Sequence, residues 1–334
     1  EIVKWVNYVT GNRFLTMAAD LSESINLEHG SLWGHYDPET NVLGTRFKAA
    51  IQEAGNASTA IGLVSQNASL DPDKFAGVWA ISGTYGAFTP LMYTPARVWS
   101  QQNQDSPFRT GVLHILVGHS GPETAADGRT HFGIFAPQVW KLFPRGQTIH
   151  LNFWDYNDVA PAYFAAAEIA AREKKVGIIT LEVARPDFPV ADRTKFTDTD
   201  LLAAAKGFYV IRDFKPGMPR HGYVVTQGSS STVNLVSILP KLEEAGVNVK
   251  VVAAISEELF FRRLVYGTLV RWGVGVAIVG SAVSFAAVHI PLYGPAVFWV
   301  DLGAGLLFGW QRWASGNWHA SAATHTIANL AAVI

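Results

Sequence analysis

The chain has 334 residues, enough for about two domains, and its 49% hydrophobic, 12% aromatic and only 16% charged composition excludes intrinsic disorder. A formal net charge of −1 leaves no global basic field to hold nucleic acid, so that partner class is set aside. The absence of cysteine removes disulfides, thiolate metal sites and a cysteine nucleophile.

The chain opens on Glu1, with neither a methionine nor a signal-peptide pattern, which predicts a start lying further upstream. From there, apolar β-rich runs alternate with helical patterns. Phe14–Ala18, Gly111–Val117, Thr148–Phe153 and Val176–Val183 read as buried strands, and the alanine-rich Pro161–Arg172 reads as a helix. Strands alternating with helices predict an α/β doubly wound parallel sheet over about residues 1–190. The Pro-, Asp- and Thr-rich stretch 186–199 separates it from a second, partial unit at 200–256. That unit contains a strand at Gly222–Gln227, a helix at Ser231–Ala245 and a strand at Val249–Ile255, one βαβ unit.

Composition breaks near residue 256. Residues 257–334 hold seven charged side chains in 78, against 46 in the preceding 256, and Lys250 is the last lysine. Three stretches, 273–292, 294–310 and 318–334, carry between them a single formal charge, Asp301. Each has about the length that crosses a bilayer core, so 257–334 is expected to form a partial all-α transmembrane bundle. Arg262, Arg263, Arg271 and Arg312 flank the stretches and put those ends on the cytoplasmic side. The expected localisation is therefore the membrane, with residues 1–256 cytoplasmic and the lipid bilayer as a partner.

Several local patterns lead nowhere. Gly118-His119-Ser120-Gly121-Pro122 approaches a nucleophile elbow, but Pro122 stands where the second glycine is required. Gly273, Gly275 and Gly280 miss the dinucleotide-binding spacing, and no phosphate-binding P-loop or His-Glu-x-x-His occurs.

Other segments carry a resemblance. Phe14–Ser24 (FLTMAADLSES), the segment Gly83-Thr84-Tyr85-Gly86-Ala87-Phe88 and the loop Gly118–His131 (GHSGPETAADGRTH) together resemble the transketolase family over about residues 10–256. The resemblance implies a thiamine-diphosphate-binding fold. It also implies that Tyr85 and Phe88 pack on the aminopyrimidine, and that His119, Asp127, His131 and Arg185 contact substrate. The family's activating glutamate sits in a Gly-x-Arg-Glu-His segment. The match is read at Gly62-Leu63-Val64-Ser65-Gln66, which puts Ser65 in the glutamate's place, and serine has no general-acid role to offer. No Gly-Asp-Gly followed by a metal-binding asparagine appears. Thiamine diphosphate and Mg²⁺ would thus be held only with a partner chain, a separate diphosphate-binding subunit.

The C-terminal segment resembles a different family. Glu257-Glu258-Leu259-Phe260-Phe261-Arg262, Phe285-Ala286-Ala287-Val288-His289 and His325-Thr326-Ile327-Ala328-Asn329 follow the motif order of the CAAX prenyl protease and bacteriocin-processing family of intramembrane proteases. Spacing alone makes Glu258 and Arg262 a natural ion pair, and places His325 and Asn329 on one helix face. Glu257 with His289 would polarise water for attack on a peptide carbonyl, and His325 with Asn329 would stabilise the oxyanion. A zinc ion on Glu257, His289 and His325 is the alternative arrangement. The two resemblances meet inside Ser256-Glu257-Glu258-Leu259-Phe260 with no linker, which reads as a chimeric join. The first functional expectation is an intramembrane endopeptidase acting on a hydrophobic or prenylated peptide. The alternatives are a transketolase-like subunit completed by a diphosphate-binding chain, or an inactive hybrid.

Overall fold

The computed structural model describes residues 1–255, apart from 20, 122–127, 129, 132–135, 145 and 184–189, together with scattered positions between 269 and 310. Its centre is a five-stranded parallel sheet. The strands are β1 (Phe14–Ala18), β2 (Trp79–Tyr85), β3 (Leu113–Gly118), β4 (Thr148–Asn152) and β5 (Ile178–Glu182), in the order β1-β2-β3-β5-β4. Every residue of β3 and β5 is buried, which is why these strands read as apolar-rich runs rather than as strict alternations.

Helices cover both faces. On one lies α4 (Val159–Arg172), whose Ala162, Ala166 and Ala170 are buried at four-residue spacing against Ile149, Leu151, Ile179 and Leu181. The shorter α1 (Ile2–Thr10) adds Ile2, Val3 and Val6 to that core. The other face carries α2 (Glu53–Val64) and α3 (Pro90–Gln104). There Ala57, Ala60 and Trp99 pack on Met17, Leu113, Ile115 and Ile178. The small buried alanines let helix and sheet approach closely. Pro90 starts α3, where its missing N–H costs no helical bond.

A second sheet of three strands follows: β6 (Phe208–Arg212), β7 (Gly222–Thr226) and β8 (Val249–Ala254), in the order β6-β8-β7. β7 and β8 are parallel across α5 (Ser229–Glu244), which is the expected βαβ unit. β6 adds an antiparallel edge that the sequence reading did not contain. The two sheets are stitched at the end of β8, where the Asn152 N–H donates to the Ile255 carbonyl at 2.8 Å and the Ile255 N–H to the Gly207 carbonyl at 2.7 Å.

The expected transmembrane bundle is overturned. Among the described residues, no helix is long and apolar enough to cross a membrane. A hydropathy window measures avoidance of water and is blind to helix continuity. Gly273, the first residue of the first charge-poor stretch, has φ +110°, so no right-handed helix runs through that position. The membrane localisation and the lipid-bilayer partner, both deduced from that bundle, fall with it.

Candidate functional site

Ligand sites in parallel sheets lie at the carboxyl ends of the strands, and here that edge is unusually polar. Thr84, Val117, Glu182 and Asn152 stand in register across β2, β3, β5 and β4. Thr84 is fully buried and Glu182 is 3% exposed. α2 begins over this row with Glu53, whose carboxylate is 6% exposed. The Thr84 hydroxyl donates to Glu53 Oε1 at 3.1 Å. A carboxylate in the first turn is favoured by the helix dipole, which helps a buried acid persist there.

One residue beyond Thr84, β2 delivers Tyr85 into an aromatic group. The His119 ring stacks on Tyr85 with centroids 3.9 Å apart, and His131 meets Tyr85 and Phe88 edge-on at 5.8 and 5.2 Å. His119 itself takes φ +52°, a left-handed conformation that is rare for a residue with a side chain. A Cβ at Gly86 would stand 3.1 Å from the His119 carbonyl, closer than an ordinary contact, so this loop lies tightly against the end of β2. Tyr85 Oη donates to Ser24 Oγ at 3.1 Å, and Thr130 Oγ1 lies 2.9 Å from His131 Nδ1.

Four residues singled out in the sequence, Tyr85, Phe88, His119 and His131, are therefore brought together. Asp127 and Arg185 lie outside the described residues, as do Glu257, Glu258, Arg262, His289, His325 and Asn329. Nothing in the structure bears on their assigned roles. Ser65 is another matter. It caps the far end of α2, exposed, with its hydroxyl donating to the Ile61 carbonyl at 2.7 Å. The acidic residue at the sheet edge is Glu53, twelve positions earlier, which the sequence reading missed. Its signal was available: an acid opening a run of small residues, Glu53-Ala54-Gly55-Asn56-Ala57-Ser58, is a helix-start pattern.

Two other buried polar groups have different surroundings. His150 and Glu182 lie 2.7 Å apart with both side chains 3% exposed, and Asn152 donates to the second Glu182 oxygen at 2.8 Å. At the seam with the second sheet, Arg193 pairs with Asp158, stands 3.8 Å from Asp155, and lies over the Tyr209 ring at 3.9 Å. Trp154 donates to Tyr209 Oη at 2.6 Å, and Tyr209 donates to Asp158 at 3.2 Å. Burial pushes Asp158 up to about 7, against the opposing pull of Arg193. Among the described residues no group of three or more His, Asp or Glu side chains is placed to hold a metal ion.

Comparison with known proteins finds two different resemblances along the chain. Residues 245–331 match the family described as Type II CAAX prenyl endopeptidase Rce1-like, so the C-terminal region resembles that protease family. No individually curated protein matches the chain. In three dimensions most of the chain has a transketolase-like fold. It is 18% identical to transketolase from Campylobacter jejuni, with a TM-score of 0.56, over 78% of this chain and 35% of that one. The Pichia stipitis transketolase complexed with sedoheptulose 7-phosphate is also 18% identical with a TM-score of 0.56, over 74% and 32%. The Leishmania mexicana transketolase is 16% identical, with a TM-score of 0.57, over 78% and 34%. The chain thus spans about a third of the length of these transketolases. The expectation of an intramembrane endopeptidase with a hydrophobic or prenylated peptide as partner is overturned by the lack of a membrane-crossing helix among the described residues.

Proposed function

We propose that this chain forms the pyrimidine-binding part of a transketolase-like thiamine diphosphate site, completed by a diphosphate-binding chain. The observation that carries the reading is the buried Glu53 carboxylate, held by Thr84 one residue before the aromatic Tyr85. An aminopyrimidine needs an acid beside its ring nitrogen and an apolar wall against its face, and Glu53 with Tyr85 and Phe88 matches that donor set. When bound, the cofactor supplies the carbanion-stabilising centre. This chain's own residues do the rest. Thr84 occupies Oε1 of Glu53, leaving Oε2 to hold or release a proton toward the ring. Tyr85 and Phe88 keep water from the ring face. His119 and His131, stacked beside them, orient the substrate's hydroxyl and carbonyl groups. The diphosphate and its Mg²⁺ are assigned to another chain because the sequence carries no Gly-Asp-Gly followed by a metal-binding asparagine.

Saturation-transfer NMR on the intact chain tests this with 4-amino-5-hydroxymethyl-2-methylpyrimidine as the probe. The pyrimidine methyl should show contact, with millimolar affinity because the diphosphate anchor is lacking, and Glu53→Gln should weaken binding by roughly tenfold. Absence of contact, or contact indifferent to Glu53→Gln, sinks the reading.

A further inference from the structure

The edge of β1 that β2 leaves open is closed by a ribbon from elsewhere in the chain. Thr16 N–H donates to the Thr45 carbonyl at 2.7 Å, and Phe47 N–H donates to the Thr16 carbonyl at 2.8 Å. A second strand of the ribbon runs alongside, with Tyr36 N–H donating to the Arg46 carbonyl at 2.8 Å. Between the ribbon, the carboxyl end of β1 and Ser22 lies a cavity of about 310 Å³. Arg46, Lys48 and His35 line it, and none of its described lining residues is a carboxylate.

The guanidinium is fixed. Arg46 Nη1 donates to the Glu28 carbonyl at 2.8 Å and lies 3.5 Å from the Glu28 carboxylate, while Nη2 lies 2.9 Å from His35 Nε2. A guanidinium only donates, so Nε2 of His35 accepts and the proton of the neutral ring sits on Nδ1. That Nδ1–H and the Nε–H of Arg46 are both buried with no partner among the described residues. His35 and Arg46 line the cavity beside a further cation at Lys48, with no carboxylate among the described lining, and that donor set suits an oxygen-rich anion.

We propose that this cavity binds the phosphate or carboxylate group of a small metabolite, gripped by His35, Arg46 and Lys48. The inference is independent of the thiamine reading, because none of these three residues belongs to the Glu53–Tyr85 group. It also makes binding proton-coupled. Burial, then Arg46 and Lys48, hold the His35 imidazole below its usual range, with Glu28 opposing them. An anion beside the ring reverses that pressure and raises its affinity for a second proton.

Calorimetry with inorganic phosphate and, separately, acetate tests the site on the intact chain, with ¹⁵N NMR of the His35 ring as the second readout. One saturable site is expected, weakened roughly tenfold by His35→Gln and several-fold by Lys48→Gln, with the His35 titration moving to higher pH on saturation. Lys48 is exposed, so its variant keeps the fold. Binding of phosphate but not acetate identifies phosphate esters as the ligand class, and equal binding of acetate identifies carboxylates. No saturable binding of either anion up to tens of millimolar overturns the proposal. Binding untouched by both variants with an unmoved His35 overturns it equally.

Discussion

Two buried polar regions of this molecule are built on opposite plans. At the seam between the sheets, Arg193 faces two aspartates and an aromatic ring, and Tyr209 bridges Asp158 to Trp154. At the strand ends, Glu53 is almost as deeply buried, and among the described residues its side-chain partner is the neutral hydroxyl of Thr84. A charge sealed among counter-charges holds two units together. A buried acid held by a neutral hydroxyl at a ligand-binding edge is the arrangement expected where chemistry is done.

The contrast is sharpest for Arg193→Met. Removing the cation leaves Asp155 and Asp158 buried side by side, and about 3–5 kcal/mol of unfolding free energy should go, measured by urea denaturation near pH 7. A loss under about 1 kcal/mol would mean that the seam is not held by its charges.

A smaller effect tests whether sealed groups behave as a class. His114 is fully buried, with Nδ1 3.1 Å from the Val112 carbonyl and 3.3 Å from the Ala80 carbonyl, and Nε2 3.3 Å from Tyr163 Oη. Carbonyls only accept, so Nδ1 carries the proton and the ring is neutral, and burial pushes its pKa down to about 4 from 6.5. The folded value lies below the unfolded one. Its contribution is therefore fully present above about pH 6.5 and is lost as pH falls toward 4, a difference of about 3 kcal/mol at most. Urea titrations at pH 7 and 4.5 should show His114→Gln losing less stability on acidification than the parent. Identical acid sensitivity in both would assign it to other groups.

The smallest effect bears on Glu53 itself. If its burial serves chemistry rather than cohesion, Glu53→Gln should leave stability unchanged or raise it by about 1 kcal/mol, in the same denaturation assay. A loss as large as that of Arg193→Met would break the comparison and make Glu53 a structural acid.

Legibility in the sequence followed the physics of burial. β1, β3, β4 and β5 were readable because each is mostly buried and concentrates β-branched and other large apolar residues in a short run. β2 was not, since Ser82, Gly83 and Thr84 dilute its apolar signal, although all three are buried at the sheet's centre. The Tyr85 segment and the 118–131 loop were recognisable as motifs, and the fold brought their rings together. Glu53 was missed because the match to a glutamate-bearing segment was sought at the wrong end of α2. The helix-start pattern marks the end that Glu53 occupies, and the bond from Thr84, 31 positions away in sequence, shows which end reaches the strand ends. The bundle expected beyond residue 256 rested on charge content and stretch length, which cannot tell a lipid-facing helix from any other apolar segment.

The bond between Asn152 N–H and the Ile255 carbonyl has a further consequence. It makes residue 255 a mooring point on the carboxyl edge of the main sheet, beside Asn152, which stands three strand spacings from Thr84, or roughly 14 Å. The Rce1-like match begins at residue 245, so it takes in β8 and this bond. A change that loosens β8 would therefore reach both sheets at once.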